Sequence, residues 1–170
     1  MTAEPTSQSL PETMIRDALP ALLPRMRRMA RALTGHAADA DDLVQIALER
    51  ALARATQWRP DGRADAWVFG ILRNAWLDEL RSRSRWQQVL APEEAGETVG
   101  EPAMERQTTA WSVGEAVGRL PPEQREVVAL VLVEGLGYRE TAELLGIPIG
   151  TVTSRLARAR AALQTWLGEA

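Results

Sequence analysis

Apolar residues in this sequence recur at spacings of three and four positions instead of alternating with polar ones. The clearest case is the final stretch, where a single stripe of a helical wheel contains Val152, Leu156, Ala159, Leu163 and Leu167. Spacing of this kind predicts amphipathic α-helices, whereas half-buried strands need strict alternation. Because alternation is scarce throughout the chain, we predict an all-α fold.

A segment rich in Pro, Gly and Glu interrupts this helical pattern at residues 85–107. Its composition and weak apolar periodicity predict a linker. The sequence therefore predicts two small helical bundles, at about residues 10–84 and 108–168, joined by a flexible acidic linker. Bundles of this size favour stabilisation by a partner.

Several classes of function are excluded by the residue types that are absent. The chain has no cysteine and one histidine, His36, so thiolate chemistry is excluded and a histidine metal cluster or Ser–His–Asp triad nearly so. The acid pairs Asp41–Asp42 and Asp78–Glu79 are adjacent in sequence and point to different sides of a helix. We therefore expect no enzyme and no cofactor. No apolar run is long enough for a membrane span and no signal peptide is visible, so we expect a cytoplasmic chain.

Charge is distributed unevenly, although the net charge is only −3. Residues 86–105 hold five glutamates and no arginine, whereas residues 144–168 hold three arginines and no acid. All twenty basic residues are arginine, whose planar fork of donors suits phosphates and guanine edges. The balance is compatible with a nucleic-acid-binding face at the C-terminal end.

Three helices are predicted in the first half of the chain. One covers residues 19–35 and ends at Gly35, and a second begins with Asp39 as N-cap. A third covers residues 64–81, with Trp67, Ile71 and Asn74 in a narrow sector at the edge of its apolar side. The predicted buried stripes are Val44, Leu48, Ala51, Leu52 and Ala55 on the second helix, and Val68, Leu72, Trp76 and Leu80 on the third.

A helix-turn-helix is predicted in the second half, after a helix that starts at Pro121 and Pro122 and stops at Gly135. The motif needs a small residue where its helices cross, a glycine in the turn and an apolar anchor on the second helix. Ala142, Gly146 and Val152 stand at spacings of four and six, and Pro148 suits the turn.

The side of the last helix opposite its apolar stripe is small, hydroxylated and basic. Thr151, Thr153, Ser154, Ala157 and Arg158 would let a helix lie deep in a major groove while an arginine reaches bases or phosphates. Arg155 and Arg160 lie on the flanks, where phosphate contact is more natural. The alternative interpretation is the solvated face of an ordinary amphipathic helix.

Four stretches together resemble a bacterial extracytoplasmic-function (ECF) sigma factor, which retains sigma domains 2 and 4. They are "DADDLVQIALERAL", "AWVFGILRNAWLDELR", "LPPEQREVVALVLVEGLGYRETAELLG" and "IPIGTVTSRLARARAAL", in the family's order and across the expected linker. The resemblance implies a protein that binds core RNA polymerase, through the β′ clamp helices and the β flap, and directs it to promoter DNA. It also implies control by an anti-sigma factor.

The resemblance assigns the second helix to the β′ clamp helices. The implied contacts are Asp41, Asp42, Leu43, Gln45 and Arg50. An acidic first turn followed by exposed polar residues suits a basic coiled-coil partner. Helix capping by Asp39 and Asp42 is the alternative, and both interpretations can hold for different carboxylates.

The resemblance also implies residues that capture the unpaired −10 element. Such capture calls for apolar platforms, polar groups that read base edges and cations that bind the backbone. Family members often have arginine at Gly70, so Arg73 is expected to substitute in part. Trp67 is alternatively a core residue, and Asn74 is expected to be a buried amide that needs a partner. The implied residues are Trp58, Arg63, Trp67, Ile71, Arg73 and Asn74.

For the −35 element, the resemblance implies the exposed side of the last helix together with flanking phosphate contacts. The family often has a basic residue at Thr153, so base preference there is expected to differ. The implied residues are Arg139, Thr151, Thr153, Ser154, Arg155, Ala157, Arg158 and Arg160.

Two other functions use the same features. A self-sufficient regulator would combine the helix-turn-helix with a dimerising or ligand-sensing first half and bind paired half-sites. A sigma-like decoy would sequester an anti-sigma factor without supporting transcription. The implied −10 and clamp residues argue against the first, and an intact base-reading helix argues against the second.

Overall fold

The computed structural model describes residues 9–90 and 112–168, and within them the chain forms helices and no β-strand. The first group is α1 (Leu10–Thr34), α2 (Ala37–Ala53), a 3₁₀ turn (Ala55–Gln57) and α3 (Ala64–Leu90). The second group is α4 (Val113–Arg119), α5 (Pro122–Val127), a π-helical segment (Val128–Val133), α6 (Tyr138–Leu145) and α7 (Ile149–Gly168). The all-α prediction is confirmed.

α1 is longer than the helix predicted from residue 19. Ile15 is fully buried and extends the apolar stripe toward the N-terminus, whereas Pro20 and Pro24 lie on the exposed face. Proline has no N–H, so a carbonyl one turn earlier loses its helical hydrogen bond, and on the exposed face water can bind that carbonyl instead. The predicted stop is confirmed, because Gly35 has a φ of 76° and its N–H binds the Arg31 carbonyl.

The start predicted for α2 is wrong. The helix begins at Ala37 after His36, and Asp39 lies in its first turn, where it accepts a hydrogen bond from Arg83 at 3.2 Å. A carboxylate in a first turn interacts favourably with the helix dipole without acting as the cap. Leu52 was also expected to be buried, but it is 43% exposed. The buried side instead follows Ala40, Leu43, Val44, Ala47 and Ala51.

α3 continues through Leu90, so residues 85–90 of the predicted linker are helical. The rest of the predicted linker (91–107) and residues 108–111 of the predicted second bundle lie outside the described residues. The predicted apolar side is confirmed for Val68, Leu72 and Trp76, which are buried, while Leu80 is half-buried.

The start and the end predicted for the first long helical stretch of the second group are both confirmed. α5 begins at Pro122, and the π-helical segment ends at Val133, two residues before Gly135, which has a φ of 72°. The wider winding is visible in the N–H of Glu134, which binds the carbonyl of Ala129 at 3.0 Å. Ahead of α5, Ser112 and Glu115 form a capping box at α4.

The helix-turn-helix is formed by α6 and α7. Gly146 ends α6 in the left-handed region with a φ of 65°, and Pro148 precedes the first residue of α7. Ala142 and Val152 are both buried, as the spacing predicted. The turn therefore holds α7 against α6 and leaves the opposite side of α7 outward.

The two groups of helices pack against each other and share one continuous apolar core. α1 contacts α2 and α3 and also α4, α5 and the π-helical segment, and α3 contacts α6. α1 and α4 approach each other at Gly35 and Gly118, where a Cβ on Gly35 would lie in contact with the Cα of Gly118 at 3.4 Å. None of the helices in the described ranges combines the length and apolarity needed to cross a bilayer.

Candidate promoter and polymerase interfaces

The first turns of α2 present an exposed polar surface. Asp41, Asp42 and Gln45 are exposed, and neither aspartate forms an ion pair with any described residue. Arg50 is instead engaged inside the group, where its Nη1 donates to Asp78 at 2.7 Å. We call Asp41, Asp42 and Gln45 the α2 surface.

Leu43 cannot belong to a binding surface in this structure. Its side chain is fully buried in the core, because one residue beyond Asp42 the helix has turned about 100° toward α1 and α3. In this arrangement Leu43 is not accessible to a partner, and its implied polymerase contact stays a prediction. Leu43 supports the α2 surface from beneath.

Two of the six implied −10 residues are also core residues here. Trp58 and Ile71 are each 6% exposed, so neither offers a platform for a base in this arrangement. The Nε1 atom of Trp58 is buried and has no hydrogen-bond partner within residues 9–90 and 112–168. Burial of apolar side chains of this size is strongly favourable. A helical wheel describes one helix alone and does not show that other helices cover these side chains.

Trp67 and Asn74 remain accessible at the edge of α3. Trp67 is half-buried and packs partly against the core. The expectation of a buried amide is wrong, since Asn74 is exposed and its Oδ1 accepts from Arg73 at 3.4 Å. An exposed amide keeps donors and acceptors for a ligand, so the position stays a candidate for a different reason.

Arg63 lies at the start of α3 between two carboxylates. It donates to Asp65 at 2.8 Å and to Glu140, the latter on α6 of the second group. The Arg63 hydrogen bond, with the Ala66 N–H and Arg25, lowers the pKa of Asp65 to about 2 against the opposing effect of burial. For Glu140, the Gly137 N–H and then Arg63 lower the pKa.

Arg73 and Arg155 share a single carboxylate. The Nε of Arg73 on α3 donates to Oε1 of Glu126 at 2.8 Å, and Nη1 of Arg155 on α7 lies 4.0 Å from Oε2. The Glu126 side chain is 5% exposed. One implied −10 cation and one implied −35 cation therefore meet at an acid of α5.

The outward side of α7 is accessible as predicted. Thr153, Ala157 and Arg158 are exposed, while Thr151 and Ser154 are half-buried. The hydroxyls of Thr153 and Ser154 donate to carbonyls of the preceding turn, which leaves their lone pairs free to accept from bases. We call these five residues the recognition face.

Two flanking arginines, Arg139 and Arg160, add to the basic character that Arg158 gives the recognition face. Arg139 on α6 and Arg158 and Arg160 on α7 are exposed. None of the three has an ion-pair partner among the residues that the structure describes. Arg155 is the exception among the predicted phosphate contacts, because it is half-buried and faces Glu126.

Sequence reasoning missed a second set of charged groups, which joins the two groups of helices. The Glu134 side chain is fully buried and accepts from Arg25 of α1 at 2.9 Å, while its Oε1 has no hydrogen-bond partner in the described part of the chain. Burial raises the pKa of Glu134 against the opposing effect of Arg25 and Arg28. The available signal was the position of Glu126 and Glu134 at the two ends of the apolar run "VVALVLV", since buried acids need cationic partners.

Comparison with known proteins accounts for both halves of the chain. Residues 20–85 match the family model Sigma-70 region 2, and residues 111–163 match Sigma-70, region 4. The ECF RNA polymerase sigma factor EcfG of Rhodopseudomonas palustris is 35% identical over 153 residues, which cover 90% of this chain and 84% of the relative. SigM of Mycobacterium tuberculosis is 38% identical over 144 residues, covering 85% and 72%.

The solved structures agree with the sequence matches. The sigma factor RpoE of Bartonella quintana, in complex with the anti-sigma factor NepR, has a TM-score of 0.76 and 31% identity to this chain. The match covers 92% of this chain and 98% of that one. With both sigma regions matched in order and the helix-turn-helix in place, this chain belongs to the ECF family of RNA polymerase sigma factors.

Proposed function

We propose that this sigma factor binds core RNA polymerase through its first group of helices and positions it on promoters through both groups. The observation that carries the proposal is the recognition face of α7. That face is accessible, small and hydroxylated, and it projects Arg158 outward from a helix held by the α6–α7 turn. A helix of this kind fits a major groove.

For the −35 element we propose base contacts from the recognition face and phosphate contacts from Arg139, Arg155 and Arg160. Arg158 is the candidate for bidentate recognition of a base, because it is exposed and is the arginine of that face. Arg155 joins these contacts when it leaves Glu126.

For the −10 element we propose Trp67 and Asn74 as the groups that meet unpaired bases, with Arg63 and Arg73 on the backbone. These side chains lie along α3 and in the turn before it. Trp58 and Ile71 support this surface from the core. Stacking on an aromatic ring and hydrogen bonds to an exposed amide are compatible with capture of a displaced strand.

For core polymerase we propose the α2 surface as the contact with the β′ clamp helices. Its two aspartates form no ion pair among the described residues, and Asp39 and Glu79 lie nearby. Burial raises the pKa of Glu79 against the opposing effect of Arg83, and Asp39 and Asp42 add smaller effects in the same direction as burial. An acidic surface attracts a basic partner. The β flap is the expected contact of the second group.

We also propose control by an anti-sigma factor, which the complex of RpoE with NepR supports by likeness. The family is not an enzyme family, and we propose that this chain contributes recognition while the polymerase supplies nucleotidyl transfer. Polymerase and chromosome place the expected activity in the cytoplasm, with no cofactor required.

The test is run-off transcription with purified core polymerase and a library of supercoiled promoters. We expect transcripts at defined start sites only when the sigma factor is added, and the same start sites in cells after overexpression. Start sites that are unchanged by its addition would contradict the proposal. Footprinting without polymerase separates the self-sufficient regulator, which would protect an operator alone. Tight anti-sigma binding without any transcript would identify the decoy.

A further inference from the structure

The cations proposed to bind promoter DNA are not all available in this arrangement. Arg63, Arg73 and Arg155 each face a carboxylate of the second group. Arg139, Arg158 and Arg160 have no such partner among the described residues. The distinction follows position, because Arg63 and Arg73 lie where the start and middle of α3 meet α6 and α5, and Arg155 on α7 faces the same Glu126.

Glu126 supplies the more buried of these contacts. Its carboxylate, 5% exposed, accepts from Arg73 at 2.8 Å across the interface and lies 4.0 Å from Arg155 on its own side. Two guanidinium groups around one carboxylate resemble the arrangement that arginines adopt around a phosphate. Glu126 therefore pairs with arginines that would otherwise be available to the phosphates of the −10 and −35 elements.

Glu140 supplies a second contact at the other end of α3. It accepts from Arg63, and its Oε2 also accepts from the N–H of Gly137 at 2.9 Å. The backbone bond fixes the carboxylate on α6, so its position does not depend on Arg63 alone. Arg63 is 52% exposed, so this contact is open to competition by salt or by phosphate.

Arg25 and Glu134 anchor the same interface without using a proposed DNA contact. The Glu134 side chain is fully buried, and Arg25 bridges it at 2.9 Å to Asp65 at 3.1 Å. Removal of one partner from such a pair leaves an uncompensated buried charge. The Arg25–Glu134 pair therefore adds to the same closed arrangement that the contacts of Glu126 and Glu140 stabilise.

We infer that Glu126 and Glu140 form an autoinhibitory clasp, in which carboxylates of the second group take the place of DNA phosphates on arginines of the first. The inference rests on the proposed function, because it assigns Arg63 and Arg73 to the −10 strand. The closed chain does not offer those arginines to DNA, and polymerase or an opening partner must separate the two groups first. A closed state of this kind lowers the apparent DNA affinity by the fraction of molecules that are open.

The experiment uses the full chain with Glu126→Gln and Glu140→Gln combined. Its matched control combines Glu123→Gln and Glu143→Gln, which removes the same charge from exposed acids of α5 and α6 that have no ion pair among the described residues. Because the chain has no cysteine, Ala53→Cys and Gln164→Cys allow a donor and an acceptor dye to report the separation of the groups. A fluorescent 20-nucleotide random single strand reports DNA binding by anisotropy.

We expect the clasp variant to lose energy transfer and to bind the single strand about five- to ten-fold more tightly than the wild type. That is the gain when the open state rises from roughly a tenth of the molecules to most of them. The control should keep its energy transfer and gain less than about two-fold. Equal gains in both variants, or unchanged energy transfer in the clasp variant, would overturn the inference.

A charge-neutral variant keeps the test decisive if the glutamine variant fails to fold. At Gly118 a Cβ would already be in contact with the Cα of Gly35 at 3.5 Å. The rest of the leucine side chain in Gly118→Leu should therefore part α1 from α4 and raise DNA affinity similarly. Run-off transcription with core polymerase separates the two proposals. If the sigma factor supports transcription but the clasp variant and the wild type bind DNA equally, the clasp is wrong and the proposed function stands. If the clasp variant binds DNA more tightly than the wild type but no sigma-dependent transcript appears, the result supports the clasp and contradicts the proposed function.

Discussion

The guanidinium of Arg125 in α5 donates a hydrogen bond of 2.7 Å to the main-chain carbonyl of Leu33 near the end of α1. The last carbonyls of a helix have no partner within the helix and favour a nearby cation. Arg125 also donates to the carbonyls of Gly118 and Leu120 and lies over the ring of Trp76. One side chain of the second group thus completes the end of a helix in the first.

Arg125→Met should destabilise the chain by about 2–3 kcal/mol, because three carbonyls lose their donor in a partly buried place. Equilibrium unfolding in urea measures the change. Arg27→Met is the control, since Arg27 is exposed on α1 and forms no ion pair within the described ranges. Equal losses in the two variants would show that Arg125 contributes no more than a surface arginine.

Asp65 should make the free energy of unfolding depend on pH in the acid range. Its pKa in the folded chain is about 2, against an ordinary value of 3.8. The unfolded chain therefore binds the proton more readily between these values, so the stabilisation is complete above about pH 4 and disappears as the pH falls through 2. The shift corresponds to about 2 kcal/mol.

Asp65→Asn should accordingly flatten the fall in the free energy of unfolding between pH 4 and pH 2, measured by urea titration at fixed pH. Asp42→Asn, at an exposed carboxyl without an ion pair in the described part of the chain, should keep the wild-type slope. A wild-type slope in the Asp65 variant would contradict the assignment.

Arg158→Ala should weaken recognition of the −35 element by about 1–3 kcal/mol and relax preference at one base pair. Arg160→Ala, one position beyond the buried Ala159, should instead weaken all sequences alike and lower the salt dependence, as expected for a phosphate contact. Polymerase binding to promoters with each −35 base replaced in turn measures both effects. Uniform weakening by Arg158→Ala would remove it from the base contacts.

Asn74→Ala should impair promoter opening and leave core binding intact, because the exposed amide contributes nothing to the core. Permanganate reactivity of unpaired thymines measures opening, and competition for core polymerase measures binding. Gln57→Ala removes another exposed amide of the first group and should affect neither. A loss of thermal stability in the Asn74 variant would make its role structural.

The local features of this protein follow from sequence because their causes lie within a few residues. Gly35, Gly135 and Gly146 adopt positive φ where the pattern predicted helix ends. Val152 and Leu156 are buried as the stripe of α7 indicated. The errors at the same level are also local: Asp39 is not the cap of α2, and α3 does not end before residue 85.

The tertiary structure decided which predicted site residues are accessible and which are paired. Leu43, Trp58 and Ile71 are buried, and Asn74 is exposed. Arg73 and Glu126 meet across 53 positions of sequence. A helical wheel orders side chains around one axis, but it does not say which other helix covers a given side. Whether a charge faces water, DNA or a carboxylate depends on how helices from distant parts of the chain pack.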